Sequence, residues 1–169
     1  MTEQTNTPAA VDNTATISKE GKYLTFGLGS EQYGLEILKV REIIGLMPIT
    51  AVPRTPEYVK GVINLRGKVI PIICLRHKFA MDQVENTEET CVIVVDVHGL
   101  EMGIIVDKVS EVLDIAEAEI EDSPSFGASV DTDFIMGMGK AGGRVTILLD
   151  ISKVLSNSEV TSIGTATNA

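Results

Sequence analysis

From Tyr23 onward the chain alternates short aliphatic runs with turn-forming residues. Val69-Ile-Pro-Ile-Ile-Cys-Leu75 and Val145-Thr-Ile-Leu-Leu-Asp-Ile151 are nearly continuous in apolar residues, the pattern of strands buried on both faces. Val and Ile dominate these runs, as they do Cys91 to Val97 and Ile104 to Val106, and branching at Cβ favours the pleated backbone. His98-Gly99, Gly137 to Gly139 and Ala141-Gly-Gly143 punctuate the runs as turns at the spacing of small barrels or sandwiches. The pattern predicts a mostly β fold with a few short helices. Helical turns are expected at Leu75 to Phe79 and at Ile151 to Leu155, the second capped by Asp150, while Pro53, Pro56 and Pro71 exclude long helices around them. Ile37 to Ile44 fits a helix face and a twisted strand equally well.

The chain also repeats itself. Tyr33 to Ile43 lies over Met102 to Val112 at a shift of 69 positions, with Gly34/Gly103, Lys39/Lys108, Val40/Val109 and Glu42/Glu111 identical. The strand-like stretches Tyr23 to Leu28 and Val92 to Val97 precede the two copies at the same offset, and the runs from Val69 and Val145 follow with a small insertion. A unit of about 70 residues is near the lower limit for a core of its own, so the two copies are expected to share buried surface.

Residues 1–21 and 157–169 are polar and small and read as tails, leaving 22–156 as the folded part, with a polar, acidic connection between the copies near 81–90. Of the 169 residues 44% are hydrophobic and only 4% aromatic, which suits an aliphatic core. The absence of a leader-like N-terminus or an apolar run long enough to span a bilayer points to a cytoplasmic protein without direct membrane insertion. A net charge of -10 disfavours nucleic acid, and three Tyr, four Phe and no Trp, scattered along the chain, supply no stacking platform.

Little in the chain resembles catalytic chemistry. Cys74, Arg76 and His77 place a thiol, a guanidinium and an imidazole close in sequence, the material of a β-barrel thiol hydrolase. Side chains on a strand and on the helix after it diverge, however, so Arg76-His77-Lys78 reads better as an exposed basic patch and Cys74 and Cys91 as small buried hydrophobes. Two histidines are too few for a metal cluster, no Gly-rich phosphate loop is present, and no cofactor or metal is expected. The stretch Gly61-Val-Ile-Asn-Leu-Arg-Gly67 stands out instead as glycine-bracketed and suited to a tight turn that projects Arg66.

These segments together resemble one family. Tyr33 to Ile44, Ile49-Thr-Ala-Val-Pro53, Pro56 to Gly67, Val69 to Leu75, Gly103 to Val112 and Arg144 to Ile151 are similar to the CheW family of chemotaxis coupling proteins, over about Lys22 to Leu155. The resemblance implies two packed five-stranded SH3-like β-barrels and a non-catalytic scaffold. It further implies that a groove between the barrels receives the cytoplasmic hairpin tip of a chemoreceptor, and that barrel ends pair with the regulatory domain of the histidine kinase CheA, alternating into rings within receptor arrays. Carried over by position, Val40, Glu42, Ile43, Gly61, Arg66 and Val112 would lie at or near the receptor groove, and Glu42 and Arg66 would form an ion pair. Two positions depart from the family pattern: Cys74 stands where an acidic residue is common, although Asp150 keeps one in the second copy, and the Ala141 to Gly143 turn is more flexible than in many members.

Overall fold

The computed structural model describes residues 20–122 and 133–155. Both expected tails lie outside the described residues except Glu20 and Gly21, and Gly21 already opens the first strand. Among the described residues eleven strands run in the order β1 (Gly21–Leu28), β2 (Glu31–Glu36), β3 (Val40–Gly45), β4 (Val59–Leu65), β5 (Lys68–Cys74), β6 (Cys91–Val97), β7 (Leu100–Val106), β8 (Lys108–Ile115), β9 (Ile120–Glu121), β10 (Ile135–Gly139) and β11 (Thr146–Leu149). Two one-turn helices, α1 (Leu75–Lys78) and α2 (Ile151–Val154), fall where the sequence places them. Asp150 caps α2 by accepting a 3.0 Å hydrogen bond from the Ser152 amide. Ile37–Lys39 forms a single 3-10 turn and Val40 onward is strand, which settles the ambiguous stretch.

The fold is mostly β and consists of two sheets, each the wall of a small SH3-like barrel. One sheet has the order β8-β1-β2-β11-β10-β9 and the other β3-β6-β7-β5-β4, so the first counts six strands once the two-residue β9 is included. The copies seen in the sequence do not map one to each barrel. β8 of the second copy pairs antiparallel with β1, and β3 of the first copy pairs antiparallel with β6. β11 runs parallel to β2, and β5 runs parallel to β7. Each barrel is therefore completed by strands of the other copy.

This exchange explains the sharing of buried surface. A cluster confined to the five-stranded sheet and its loops holds Ile63, Ile70, Ile72, Val92 and Val94, and one confined to the six-stranded sheet holds Tyr23, Ile115 and Leu148. The third and most extensive cluster takes Leu24, Phe26, Leu28 and Leu35 from one sheet and Ile93, Val95, Val97, Met102 and Ile104 from the other. β1 and β6 consequently bury both faces, one toward a barrel interior and one toward this shared layer, which is why their sequences lack polar alternation. A stack of rings, Phe26, Tyr33, Phe79 and Phe134, with centroids 5.1 to 6.0 Å apart, runs along the layer. Gly34 and Gly103 both point into barrel interiors, where a Cβ would come within 3.1 Å of Leu148 and 2.5 Å of Val92 respectively.

Two turn assignments change. Gly137 and Gly139 lie within β10 rather than in a turn, and Gly61 lies within β4 rather than in the tight turn before Gly67. Gly61 has φ +141, is buried, and sits beneath the Thr50 carbonyl, whose oxygen would be 2.0 Å from a Cβ. That approach lets Thr50 and Val62 exchange backbone hydrogen bonds of 2.8 and 2.9 Å, which cover the outer edge of β4.

Candidate functional site

The residues carried over by family resemblance collect around the two outer strands β3 and β8. Each is an edge strand whose free side faces away from its sheet, and each carries a bulge, at Val40/Glu42 and opposite Leu24/Phe26. Ile43 is paired with Ile93 and Val112 with Leu24, and both partners are buried in the shared layer. Side chains of cross-strand partners point to the same face. Ile43 and Val112 thus extend the shared apolar layer outward, yet they remain 46% and 48% exposed. They occupy equivalent places in the two copies, as do Val40 and Val109, which are half-buried against the shared layer.

Arg66 belongs to the β4–β5 hairpin. Leu65 pairs with Lys68, and the two residues between, Arg66 at φ 53 and Gly67 at φ 85, both have positive φ, the requirement of a type I′ turn. The Asn64 side chain accepts from the Gly67 amide at 2.8 Å and fixes the turn. His98-Gly99 repeats the device, with Asp96 accepting from the Gly99 amide at 3.0 Å. The turn holds Arg66 over β3, where its Nη2 donates to Glu42 Oε2. This bond, together with the Coulombic attraction, holds the guanidinium above its ordinary pKa, although its side chain stays 69% exposed. A charged group pre-oriented in this way, next to exposed aliphatics, is suited to recognise a partner.

The structure thus brings together Glu42 with Arg66, and sets Ile43 and Val112 at the exposed margins of the shared layer. Gly61 lies apart from them in role: it is buried, and it permits a close backbone approach rather than offering a surface.

Among the described residues Cys74, at the end of β5, and Arg76 and His77 of α1 make no side-chain hydrogen bond to one another. Cys74 is buried and its Sγ donates to Gln83 Oε1 at 3.6 Å. Arg76 reaches across to Asp107, with Nε to Oδ1 at 2.9 Å and Nη2 to Oδ2 at 2.6 Å, and its Nη1 donates to the Asp82 carbonyl at 2.7 Å. That fork holds the Asp107 carboxyl below the usual carboxylate range. His77 Nδ1 is buried with no hydrogen-bond partner among the described residues. The stretch is therefore not an exposed basic patch: Arg76 is only 13% exposed, and Lys78 lies 4.5 Å over the Tyr58 ring. Sequence reasoning missed Arg76 because its partner is far along the chain, and local charge alone suggested solvation. Among the described residues no group of three or more His, Cys, Asp or Glu is placed to hold a metal ion, and no helix is long and apolar enough to cross a membrane.

Comparison with known proteins gives the arrangement a relationship. A family described as the CheW-like domain matches residues 22–159. The chain is 45% identical over 139 residues to the chemotaxis protein CheW of Klebsiella aerogenes, covering 82% of this chain and 84% of that one. It is 35% identical over 143 residues to that of Bacillus subtilis, covering 84% and 91%. The crystal structure of the scaffolding protein TtCheW from Thermoanaerobacter tengcongensis superposes with a TM-score of 0.75 at 35% identity, covering 83% of this chain and 95% of that one. An edge-strand site with a pinned arginine, two exchanged barrels and these matches lead to one assignment: the chain belongs to the CheW-like domain family, whose members are non-catalytic scaffolds of chemotaxis.

Proposed function

We propose that this scaffold couples the cytoplasmic helical hairpin tip of a chemoreceptor to the regulatory domain of the chemotaxis histidine kinase CheA. The observation that carries the receptor half is the pair Ile43 and Val112, exposed aliphatics continuous with a buried layer and flanked by Arg66. An amphipathic helix docks by laying an apolar stripe on such a surface, while a charged group at its border fixes the register. Val40 supplies the half-buried floor beside Ile43, and Glu42 orients Arg66 toward the helix. Gly61 acts at one remove, by letting Thr50 close over β4. The kinase half rests on the family relationship, which also suggests assembly into rings and recruitment from the cytoplasm to membrane receptor arrays.

Co-sedimentation with receptor-containing membranes, with and without the kinase, tests this reading. The chain is expected to pellet with receptors alone and to carry added kinase into the pellet. Kinase recruitment that is unchanged when the chain is omitted would remove the coupling role.

A further inference from the structure

We propose that the open end of the five-stranded barrel is a binding site for a small amphipathic monocarboxylate, recognised by Lys60 through its carboxylate and by Leu46, Ile49 and Val84 through its apolar body. A cavity of about 370 Å³ opens there between the segment around Leu46 and the strap running from Gln83 to Thr90. Its size lies within the roughly 300–1,000 Å³ of small-molecule sites, and barrel mouths are recurrent places for them.

The cavity is not forced by the fold, because the other barrel fills the same place. The registers of the β4–β5 and β10–β11 hairpins coincide, bulge for bulge, when Val59 is laid over Ile135, and this puts Met136 where Lys60 stands. The repeat puts Ile115 where Leu46 stands. Ile115 is fully buried and Met136 packs with it in the six-stranded barrel, whereas Leu46 is 36% exposed and Lys60 lines open space. An ammonium has replaced a thioether at the end of a barrel.

The charges in the cavity select the ligand. Arg76 and Asp107 neutralise each other through their forked pair, and Arg76 also ties down the strap through the Asp82 carbonyl. Lys60 has no ion-pair or hydrogen-bond partner among the described residues. One uncompensated positive charge beside an aliphatic wall fits a single anionic head on an apolar body.

The test is an NMR titration of the intact chain with octanoate and, separately, with octylamine. Octanoate is expected to give saturable shifts at the amides of Val84 and Ile105, and octylamine much weaker ones. Lys60→Met, which copies the other barrel, should weaken octanoate binding about tenfold or more, the scale of one charged hydrogen bond. Lys60→Glu should reverse the preference toward octylamine. Melting curves of both variants confirm that they are folded, and an unfolded variant is replaced by Lys60→Gln with the same expected loss. Shifts that do not saturate, or octanoate binding unaffected by every folded Lys60 variant, would overturn the proposal.

Discussion

The two barrels share one plan, and their differences show where it has been specialised. Gly61 and Gly137 occupy the same bulge in β4 and β10, each beneath a carbonyl, Thr50 in one case and Glu121 in the other. Gly34 and Gly103 keep the barrel interiors clear in the same way. These correspondences are architectural. At the next hairpin the barrels part: Arg66 and Gly67 stand where Gly142 and Gly143 stand, all with positive φ. Glu42 therefore has a guanidinium partner, and Glu111, at the matching place on β8, has no cation partner among the described residues. A left-handed position normally favours glycine, so an arginine there carries a backbone cost that the glycine copy avoids. The difference places a guanidinium over Glu42 on β3 and none over Glu111 on β8 among the described residues, and gives a symmetric fold an asymmetric surface.

The comparison is broken most severely at the bulge glycines. Gly61→Ala places a Cβ against the Thr50 backbone at a φ that L-residues rarely adopt, and is expected to cost about 3 kcal/mol or more. Gly137→Ala, with negative φ and a Cβ 2.9 Å from the Glu121 oxygen, should cost less, about 1–2 kcal/mol. Equal losses in urea denaturation would show that the Thr50 approach is not special.

The Arg76–Asp107 pair is particular to the five-stranded barrel's end, and its loss ranks next. Asp107→Asn should cost about 1–3 kcal/mol at pH 7, because it weakens the fork to a mostly buried guanidinium. The folded carboxyl ionises below its unfolded value of about 3.9, so its contribution is complete above that value and disappears as pH falls through the folded one. Stability measured against pH should show the variant and the parent converging below about pH 4. A gap that persists there would point to packing rather than charge.

The smallest effect concerns the helical turns. Asp150 caps α2, whereas Cys74, at the matching place before α1, makes no side-chain cap. Asp150→Ala is expected to cost about 1 kcal/mol. A thermal melt unchanged by that substitution would mean that α2 is held by the buried Ile151 and Val154 alone.

Much of this plan was legible in the sequence, and the reasons are physical. Strands buried on both faces advertise themselves as unbroken Val and Ile runs, so β5, β6 and β11 could be read directly, as could the helical turns after β5 and β11. The repeat was visible because Gly34 and Gly103 tolerate no side chain and Lys39, Val40 and Glu42 recur. The exchange of strands was not, since a repeat shows that two segments fold alike without showing which copy each pairs with. Gly61 misled because a glycine at a mid-strand bulge looks like a turn glycine until the facing carbonyl is known. Arg76 misled for the same reason at longer range, because Asp107 lies 31 residues on, in the bend between β7 and β8. Arg66 projecting from a turn could be read from its glycine neighbour, but its hold by Glu42 needed the family resemblance.

Whether Arg66 and its neighbours on β3 and β8 form the receptor surface is decided by paired titrations of Arg66→Ala. One titration uses a receptor hairpin fragment and the other the kinase regulatory domain. Receptor affinity is expected to weaken about tenfold to a hundredfold, the scale of a charged hydrogen bond at an interface, with kinase affinity and melting temperature unchanged. Equal losses for both partners, or an unfolded variant, would contradict this assignment and make Arg66 a structural residue.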